Sequence, residues 1–591
     1  MCGIAGILNH HDECTNLEDR LRALQRALRH RGPDDAGLWM SPEKHVGLVH
    51  TRLSILDLSS AGHQPMISAD GRFTLCFNGE IYNFLELRAE LERQGVTFHT
   101  RTDTEVLLHL YQREGRAMLK RLRGMFAFCL WDSKEQSALL ARDPFGIKPL
   151  YYRHQDGELA FASELKALRE AGFAGRGLDP LAVMAYLESG SVSEPMTLFQ
   201  NLRCLPAGHC LELRAGRMLI SAYWQPSFGA EIMPEVEAVA MTREALLDSV
   251  QHHFVSDVPV GLFLSGGMDS TALLALAQQT GHKGLQTFSI AVDDAALDES
   301  HVAARTAAHF GAEHHELRLD AAQVAASFPA FLQAMDQPSV DGFNTYTVAG
   351  FARQAGMKVV LSGLGGDELF GGYPSFQKVP KLAALAQAFG HVPGHHGAGM
   401  LIERLAPSRP LRRVGSLLQR PPSLLNAWRC FRGIFTARDA RLLAARYTGV
   451  STTDIPEPIL SFPVDTQDQV SLLELSLYMR HQLLKDSDVM SMAHGLELRV
   501  PLVDRVLFEA VSRLPAAQRL QPGKRLLAQA VPELPEWVTQ APKRGFSFPF
   551  ESWLRAEWGT RFAEVARQLP DSHPRWYQLW CVFMLERWLE K

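Results

Sequence analysis

Val258-Pro259-Val260-Gly261-Leu262-Phe263-Leu264-Ser265-Gly266-Gly267-Met268-Asp269-Ser270, running on into Thr271-Ala272-Leu273-Leu274-Ala275, is the stretch from which the rest of the chain is read. A short apolar run, a Ser/Gly turn and a run of helix formers predict strand, tight loop and helix in succession. Gly266 and Gly267 let the backbone turn sharply and bring bare N–H groups close to a ligand. With the start of the following helix, those N–H groups make a seat for an anion such as a phosphate. Ser265 and Ser270 add hydroxyl donors, and Asp269 is placed to hold a magnesium ion against phosphate oxygens. The loop lacks the Gly-Lys-Ser/Thr ending of a Walker sequence. An ordinary strand–turn–helix corner is the competing reading, and Asp269 and Ser270 weigh against it.

Downstream, strand and helix keep alternating. Residues 287–292 read as a strand and 299–310 as a helix; Lys358-Val359-Val360-Leu361 is a further strand. It ends in a second glycine loop, Ser362-Gly363-Leu364-Gly365-Gly366-Asp367-Glu368-Leu369-Phe370-Gly371-Gly372-Tyr373. Such alternation predicts a parallel sheet wrapped by helices, with ligands beyond the carboxyl ends of the strands, where both loops fall. The first loop resembles the pyrophosphate loop of enzymes that split ATP between its α- and β-phosphates and form an acyl-adenylate. On that resemblance Leu264, Ser265, Gly266, Gly267, Asp269, Ser270, Ile290, Ser362 and Gly363 bind ATP, and Asp269 and Asp367 share magnesium–pyrophosphate.

The bulk properties suit a large enzyme. The chain has 591 residues, 46% apolar and 21% charged, with a formal net charge of -5. That length implies two or more domains, and the mild acidity argues against a nucleic-acid partner. Eight cysteines form no Cys-x-x-Cys pair, and the adjacent pairs His252-His253, His314-His315 and His395-His396 lack a zinc spacing. No run of about 18 apolar residues predicts a membrane span, and the N-terminus carries no apolar signal core. The expected location is the cytoplasm.

The first half is strand-rich. Strands are predicted over 3–8, 46–50, 73–77, 125–131, 138–142 and 159–162, and helices over 17–28, 84–94 and 104–114. Packed antiparallel sheets flanked by helices fit this order. Cys2 is its focus: loss of Met1 would leave a cysteine whose α-amine, with a pKa of roughly 7.7–8.0, can serve as base for its own thiol. Met1-Cys2-Gly3-Ile4-Ala5-Gly6, His30-Arg31-Gly32-Pro33-Asp34, Arg52-Leu53-Ser54-Ile55, Phe77-Asn78-Gly79-Glu80-Ile81-Tyr82-Asn83 and Asp143-Pro144-Phe145-Gly146 follow in order. With these motifs the first half resembles the glutaminase domain of class II glutamine amidotransferases, which are N-terminal-nucleophile hydrolases with an αββα sandwich. With the pyrophosphate loop downstream, nearly the whole chain resembles the glutamine-hydrolysing asparagine synthetase family.

That resemblance implies a glutaminase domain over 2–218 and an ATP-pyrophosphatase domain over 234–591, divided in a turn-rich segment between 215 and 235. Cys2 would be the nucleophile, and the Asn78 side chain with the Gly79 backbone N–H the oxyanion hole. Arg52 would hold the glutamine carboxylate, and Glu80 and Asp103 its ammonium. For Asn78-Gly79 the competing reading is a hairpin turn; for Arg52 it is a surface ion pair. His494 to Asp504 resembles the family's closing active-site segment, so Arg499 is expected on the acceptor or phosphate side, and Lys543 beside the leaving pyrophosphate. The expected partners are glutamine, ATP and a carboxylate acceptor, with a homodimer as the candidate assembly. Leu364 departs from the family, which usually has an acidic residue there; a leucine can neither transfer a proton nor pair a charge. The acceptor is therefore open between aspartate and another acid, such as a sugar uronate, a cell-envelope carboxylate or a natural-product intermediate. A non-catalytic regulatory or binding protein on the same fold is the rival from another class. The Arg/Pro-rich stretch 403–422 has no aromatic interleaving and reads as a solvated insertion.

Overall fold

A computed structural model describes residues 2–591 apart from 10–15, 176, 295–296, 407, 453–454, 459, 542–547 and 571–573, and apart from the side chains of 554–557. The first half holds strands β1 (Cys2–Asn9), β2 (Asp35–Met40), β3 (Val46–Arg52), β4 (Met66–Ile67), β5 (Phe73–Ile81), β6 (Gly124–Asp132), β7 (Ser137–Arg142), β8 (Tyr151–Gln155), β9 (Glu158–Ala162), β10 (Arg203–Cys204), β11 (His209–Arg214) and β12 (Arg217–Ala222). They form two six-stranded antiparallel sheets, ordered β10-β8-β9-β1-β3-β2 and β12-β11-β7-β6-β5-β4.

Strand alternation explains the layers, since successive side chains point to opposite faces. In β1, Ile4 and Leu8 join Cys76, Ala127 and Cys129 of the other sheet in the inter-sheet core. Ala5 and Ile7, on the opposite face, pack under the helix Leu17–Ala27. In β6 the same alternation sends Phe126, Phe128 and Leu130 beneath the helices Phe84–Arg93 and Asp103–Glu114. Helix, sheet, sheet, helix is the result: the expected αββα sandwich.

The last hairpin was not expected. β11 and β12 extend the second sheet from β7, turning through Ala215 and Gly216, both at positive φ. That geometry matches the tight turns whose twist suits a hairpin. The sheet thus runs to Ala222, past residue 218.

A third sheet combines β13 (Val260–Phe263), β14 (Gln286–Val292), β15 (Glu313–Leu319), β16 (Val359–Leu361) and β17 (Glu497–Arg499), ordered β15-β14-β13-β16-β17 and parallel throughout. The helix Met268–Gln279 follows β13 and is buried continuously from Ser270 to Ala277, as an all-round apolar helix must be.

The two bodies share a core. Tyr82, Met125, Phe145, Ile147 and Tyr186 from the first half lie in one apolar cluster with Leu262, Leu273 and Phe288 from the second. Leu53 and Ile55 pack separately on Val359. Among the described residues no helix is long and apolar enough to cross a membrane.

Candidate active site

Cys2 opens β1 opposite Arg52 of β3, and its backbone N–H donates to Oδ1 of Asn78 at 3.0 Å. Asn78 and Gly79 lie inside β5, opposite Ala127 and Phe126 of β6. The hairpin-turn alternative is thereby overturned: the dipeptide belongs to a central strand. The other end of the Asn78 amide, Nδ2, is buried and has no hydrogen-bond partner among the described residues. Leaving such a donor unmade costs about 1–3 kcal/mol, so its persistence beside a buried cysteine marks a place kept for an acceptor atom. At Gly79 a Cβ would stand 2.1 Å from the Met125 carbonyl oxygen, so only glycine lets β5 and β6 pair there.

The Arg52 guanidinium does not form a surface ion pair. Nη1 donates to the Ser59 carbonyl (2.8 Å) and Nη2 to those of Leu56 (3.2 Å) and Asp57. Gly62 permits this cradle, because a Cβ there would meet Nη2 at 2.0 Å. The charge is positioned by neutral carbonyls, an arrangement suited to receiving a carboxylate. Glu80 and Asp103 are both buried. Burial first, and then neighbouring carboxylates, lift Glu80 well above the usual range. Burial pushes Asp103 up to about 6, although Oδ2 accepts from the Ile81 N–H at 2.9 Å. Burial also raises the Cys2 thiol, opposed by the Leu53 N–H and the Arg52 charge. Asp143 of the Asp-Pro-Phe-Gly motif gathers the backbone N–H groups of Phe145, Gly146, Ile147 and Lys148 on its carboxylate, which fixes the loop after β7.

The second site lies at the carboxyl ends of β13 and β16, neighbours in the parallel sheet. Leu264 N–H donates to the Phe288 carbonyl (2.9 Å), carrying the loop over β14. Ser265 and Ser270 hydroxyls lie 3.0 Å apart, and Gly267 N–H donates to Ser265 Oγ at 3.2 Å. The two glycine loops touch: a Cβ on Gly363 would stand 2.8 Å from the Ser270 nitrogen, and one on Gly366 2.4 Å from Oδ1 of Asp269. Ser362 follows β16 and donates its N–H to the Arg499 carbonyl at 2.9 Å. Ile290 lies buried on β14.

Lys524, which the sequence did not flag, completes this cluster. Its Nζ is 2.7 Å from Oδ1 of Asp269 and also reaches Asp367. Burial pulls the ammonium down, but the two carboxylates outweigh it and its pKa stands raised. The two carboxylates therefore converge on one positive charge, a donor set that fits a magnesium–phosphate group. Among the described residues no group of three or more His, Cys, Asp and Glu forms a metal cage.

One expectation on the acceptor side changes. Arg499 is fully buried, with Nε on Glu497 (2.5 Å), Nη1 on the carbonyls of His253 and Val255 (both 2.8 Å), and Nη2 3.6 Å from Glu80. It braces the seam between the two halves rather than reaching acceptor or phosphate. β17 is the outermost strand and sends this side chain toward the first half. Lys543 lies outside the described residues. Leu364 is half-buried and packs against the core of the second half.

The family described as a glutamine amidotransferase domain matches residues 1–224, and the family described as asparagine synthase matches residues 241–589. "Asparagine synthetase [glutamine-hydrolyzing] 1" of Bacillus subtilis (strain 168) is 34% identical over 570 residues, covering 94% of this chain and 88% of that protein. "Asparagine synthetase B [glutamine-hydrolyzing]" of Escherichia coli (strain K12) is 33% identical over 402 residues, covering 65% of this chain and 67% of that protein. "Amidase chry2" of Gibberella zeae is 27% identical over 616 residues, covering 94% of this chain and 90% of that protein.

Proposed function

Given that this chain belongs to the glutamine-hydrolysing asparagine synthetase family, we propose that it takes nitrogen from glutamine and, with ATP, converts a carboxylate into an amide. It is a ligase that forms C–N bonds. We assign glutamine hydrolysis to 2–218 and ATP-dependent activation to 234–591.

In the first site the Cys2 thiol, with its own α-amine as base, attacks the side-chain carbonyl of glutamine. Asn78 Nδ2 and the Gly79 N–H take the developing oxyanion, Arg52 the substrate carboxylate, and Glu80 and Asp103 the ammonium. Ammonia leaves, and water releases glutamate from the thioester. In the second site the loops bearing Ser265, Gly266, Gly267 and Ser270, with Leu264, Ile290, Ser362 and Gly363, hold ATP. The acceptor carboxylate attacks the α-phosphorus and pyrophosphate departs toward the Lys524 ammonium. Asp269 and Asp367 would hold a magnesium ion, which would neutralise that leaving charge. Ammonia then displaces AMP from the acyl-adenylate. The passage for ammonia is assigned to the seam where Met125 of β6 joins the shared core.

One observation carries this reading: Asn78 holds Cys2 with its oxygen and keeps its nitrogen uncommitted. A specific observation also favours an acceptor other than aspartate. Leu364 puts an apolar side chain where the family usually has a carboxylate, and a relative matched over 94% of this chain carries the name amidase. The test is a screen of carboxylic acids with ATP, magnesium and either glutamine or ammonia, reading pyrophosphate, AMP and the amide. Cys2→Ala is expected to abolish glutamine use and spare ammonia use. Formation of ADP and phosphate in place of AMP would sink the assignment, and brisk asparagine formation would restore aspartate as the acceptor.

A further inference from the structure

A single guanidinium ties the nucleophile to the other half of the molecule. Arg31 is fully buried, and its three nitrogens are divided among three partners. Nε donates to the backbone carbonyl of Cys2 at 3.1 Å, and Nη1 to Oε1 of Glu164 at 2.8 Å. Nη2 donates to Oδ2 of Asp488 at 2.8 Å. Asp488 sits on the helix Lys485–Met492, which continues a wider, π-type stretch over Glu474–Leu484. Its second oxygen, Oδ1, accepts from Lys148 Nζ at 3.1 Å, and that lysine is also buried. Glu164 is engaged besides by His30 (2.9 Å) and Lys166 (2.7 Å).

Charge and geometry make Asp488 the member that cannot be spared. Without it, Arg31 and Lys148 would be two buried cations facing a vacated position. A buried charge left without its partner relocates or is strongly destabilised. Among the described residues Glu164 is the other carboxylate that Arg31 touches, so the guanidinium would turn toward it and release the Cys2 carbonyl. Cys2 is the first residue of β1 and lies opposite Arg52 of β3. Among the described residues, the Arg31 contact and the Asn78 contact are the side-chain bonds to its backbone.

We propose that Asp488, a residue of the synthetase half, is a positioning residue for the Cys2 nucleophile, acting through Arg31. This rests on Cys2 being the glutaminase nucleophile. The consequence is directional: the glutaminase centre is fully assembled only when the helix Lys485–Met492 is seated, so glutamine hydrolysis follows the packing of the ATP-dependent half.

The test uses the full chain with the amide-analogue electrophile 6-diazo-5-oxo-norleucine, which alkylates a glutaminase thiol without needing ATP or acceptor. Asp488→Asn is expected to slow Cys2 alkylation and glutamine-dependent turnover about tenfold or more through misplacement of the thiol. Ammonia-dependent amide formation should stay within about twofold, a split that general loss of folding would not give. Asp248→Asn removes a different ion pair across the same seam, that with Arg123 at 2.7 Å, and should leave alkylation unchanged. An unchanged alkylation rate in Asp488→Asn overturns the proposal, as does equal slowing by Asp248→Asn or an equal fall in ammonia-dependent synthesis. If wild-type Cys2 resists alkylation, the reading of Cys2 itself fails and the proposal goes with it.

Discussion

Gly366 and Asp269 stand in the first turns of different helices, yet a Cβ added to Gly366 would stand 2.4 Å from Oδ1 of Asp269. The loops after β13 and β16 are thus held at backbone contact around one carboxylate. Gly366→Ala should displace that carboxylate while leaving the fold intact, since alanine is favoured over glycine within a helix by up to about 1 kcal/mol. We expect pyrophosphate release with ammonia to fall about 100-fold, the scale of a displacement near 1 Å. Glutamine hydrolysis should persist. A pyrophosphate assay beside a glutamate assay checks both halves.

Lys524 supplies the charge on which Asp269 and Asp367 converge. Lys524→Gln is expected to lower pyrophosphate release by about 100-fold, the loss typical of removing one preorganised stabiliser of developing charge. Free magnesium should recover part of it, because the two carboxylates then attract the ion more strongly. Magnesium titrations of wild type and variant measure this; curves of identical shape would show Lys524 to be a bystander.

Asn78→Asp keeps an oxygen for the Cys2 N–H and replaces the uncommitted donor with an acceptor. Loss of an oxyanion-hole donor costs about 2.7–4 kcal/mol, or roughly 100- to 1,000-fold in turnover. We expect that loss with glutamine and none with ammonia, read from initial rates with each nitrogen source.

The pH dependence follows from Asp103, which burial pushes up to about 6. Below that pH it is protonated and no longer offers a charge to the glutamine ammonium. The KM for glutamine should therefore rise as pH falls through 6, by up to about tenfold per unit, and Asp103→Asn should flatten the profile. The stability effect has the opposite sense. A carboxyl whose folded pKa exceeds its unfolded value loses stability as pH rises from about 4 to about 6. Asp103→Asn should accordingly unfold at higher denaturant than wild type at pH 7.5 and lose that advantage at pH 4.

Residue order made much of this legible. Alternation in β1 and β6 sorted the layers of the sandwich, and the glycine loops announced the parallel sheet. Three features escaped because they depend on partners distant in sequence. Lys524 stands in Gln-Pro-Gly-Lys, a surface-turn composition, and only folding carries it to Asp269, 255 residues away. Arg499 shares a motif with active-site residues, yet the direction of a three-residue edge strand sends its guanidinium to Glu497 and Glu80. Asp488 is one acid in a helical run, and its meaning lies in Arg31 and Lys148, both distant in sequence. The β12 hairpin was hidden differently: Ala215-Gly216 is a weaker turn cue than Asn-Gly, and β12 is half-exposed, with little apolar pattern.

The apolar cluster that joins Met125, Tyr82 and Phe145 to Leu262 and Leu273 bears on how such a chain can be dismantled or borrowed. Cutting the connector at 223–234 would break a covalent link but leave the halves adhering, and either half made alone would present an oily face to water. Heating should melt the molecule in one step. Grafting either half onto a foreign partner would require that partner's surface to be recut to match.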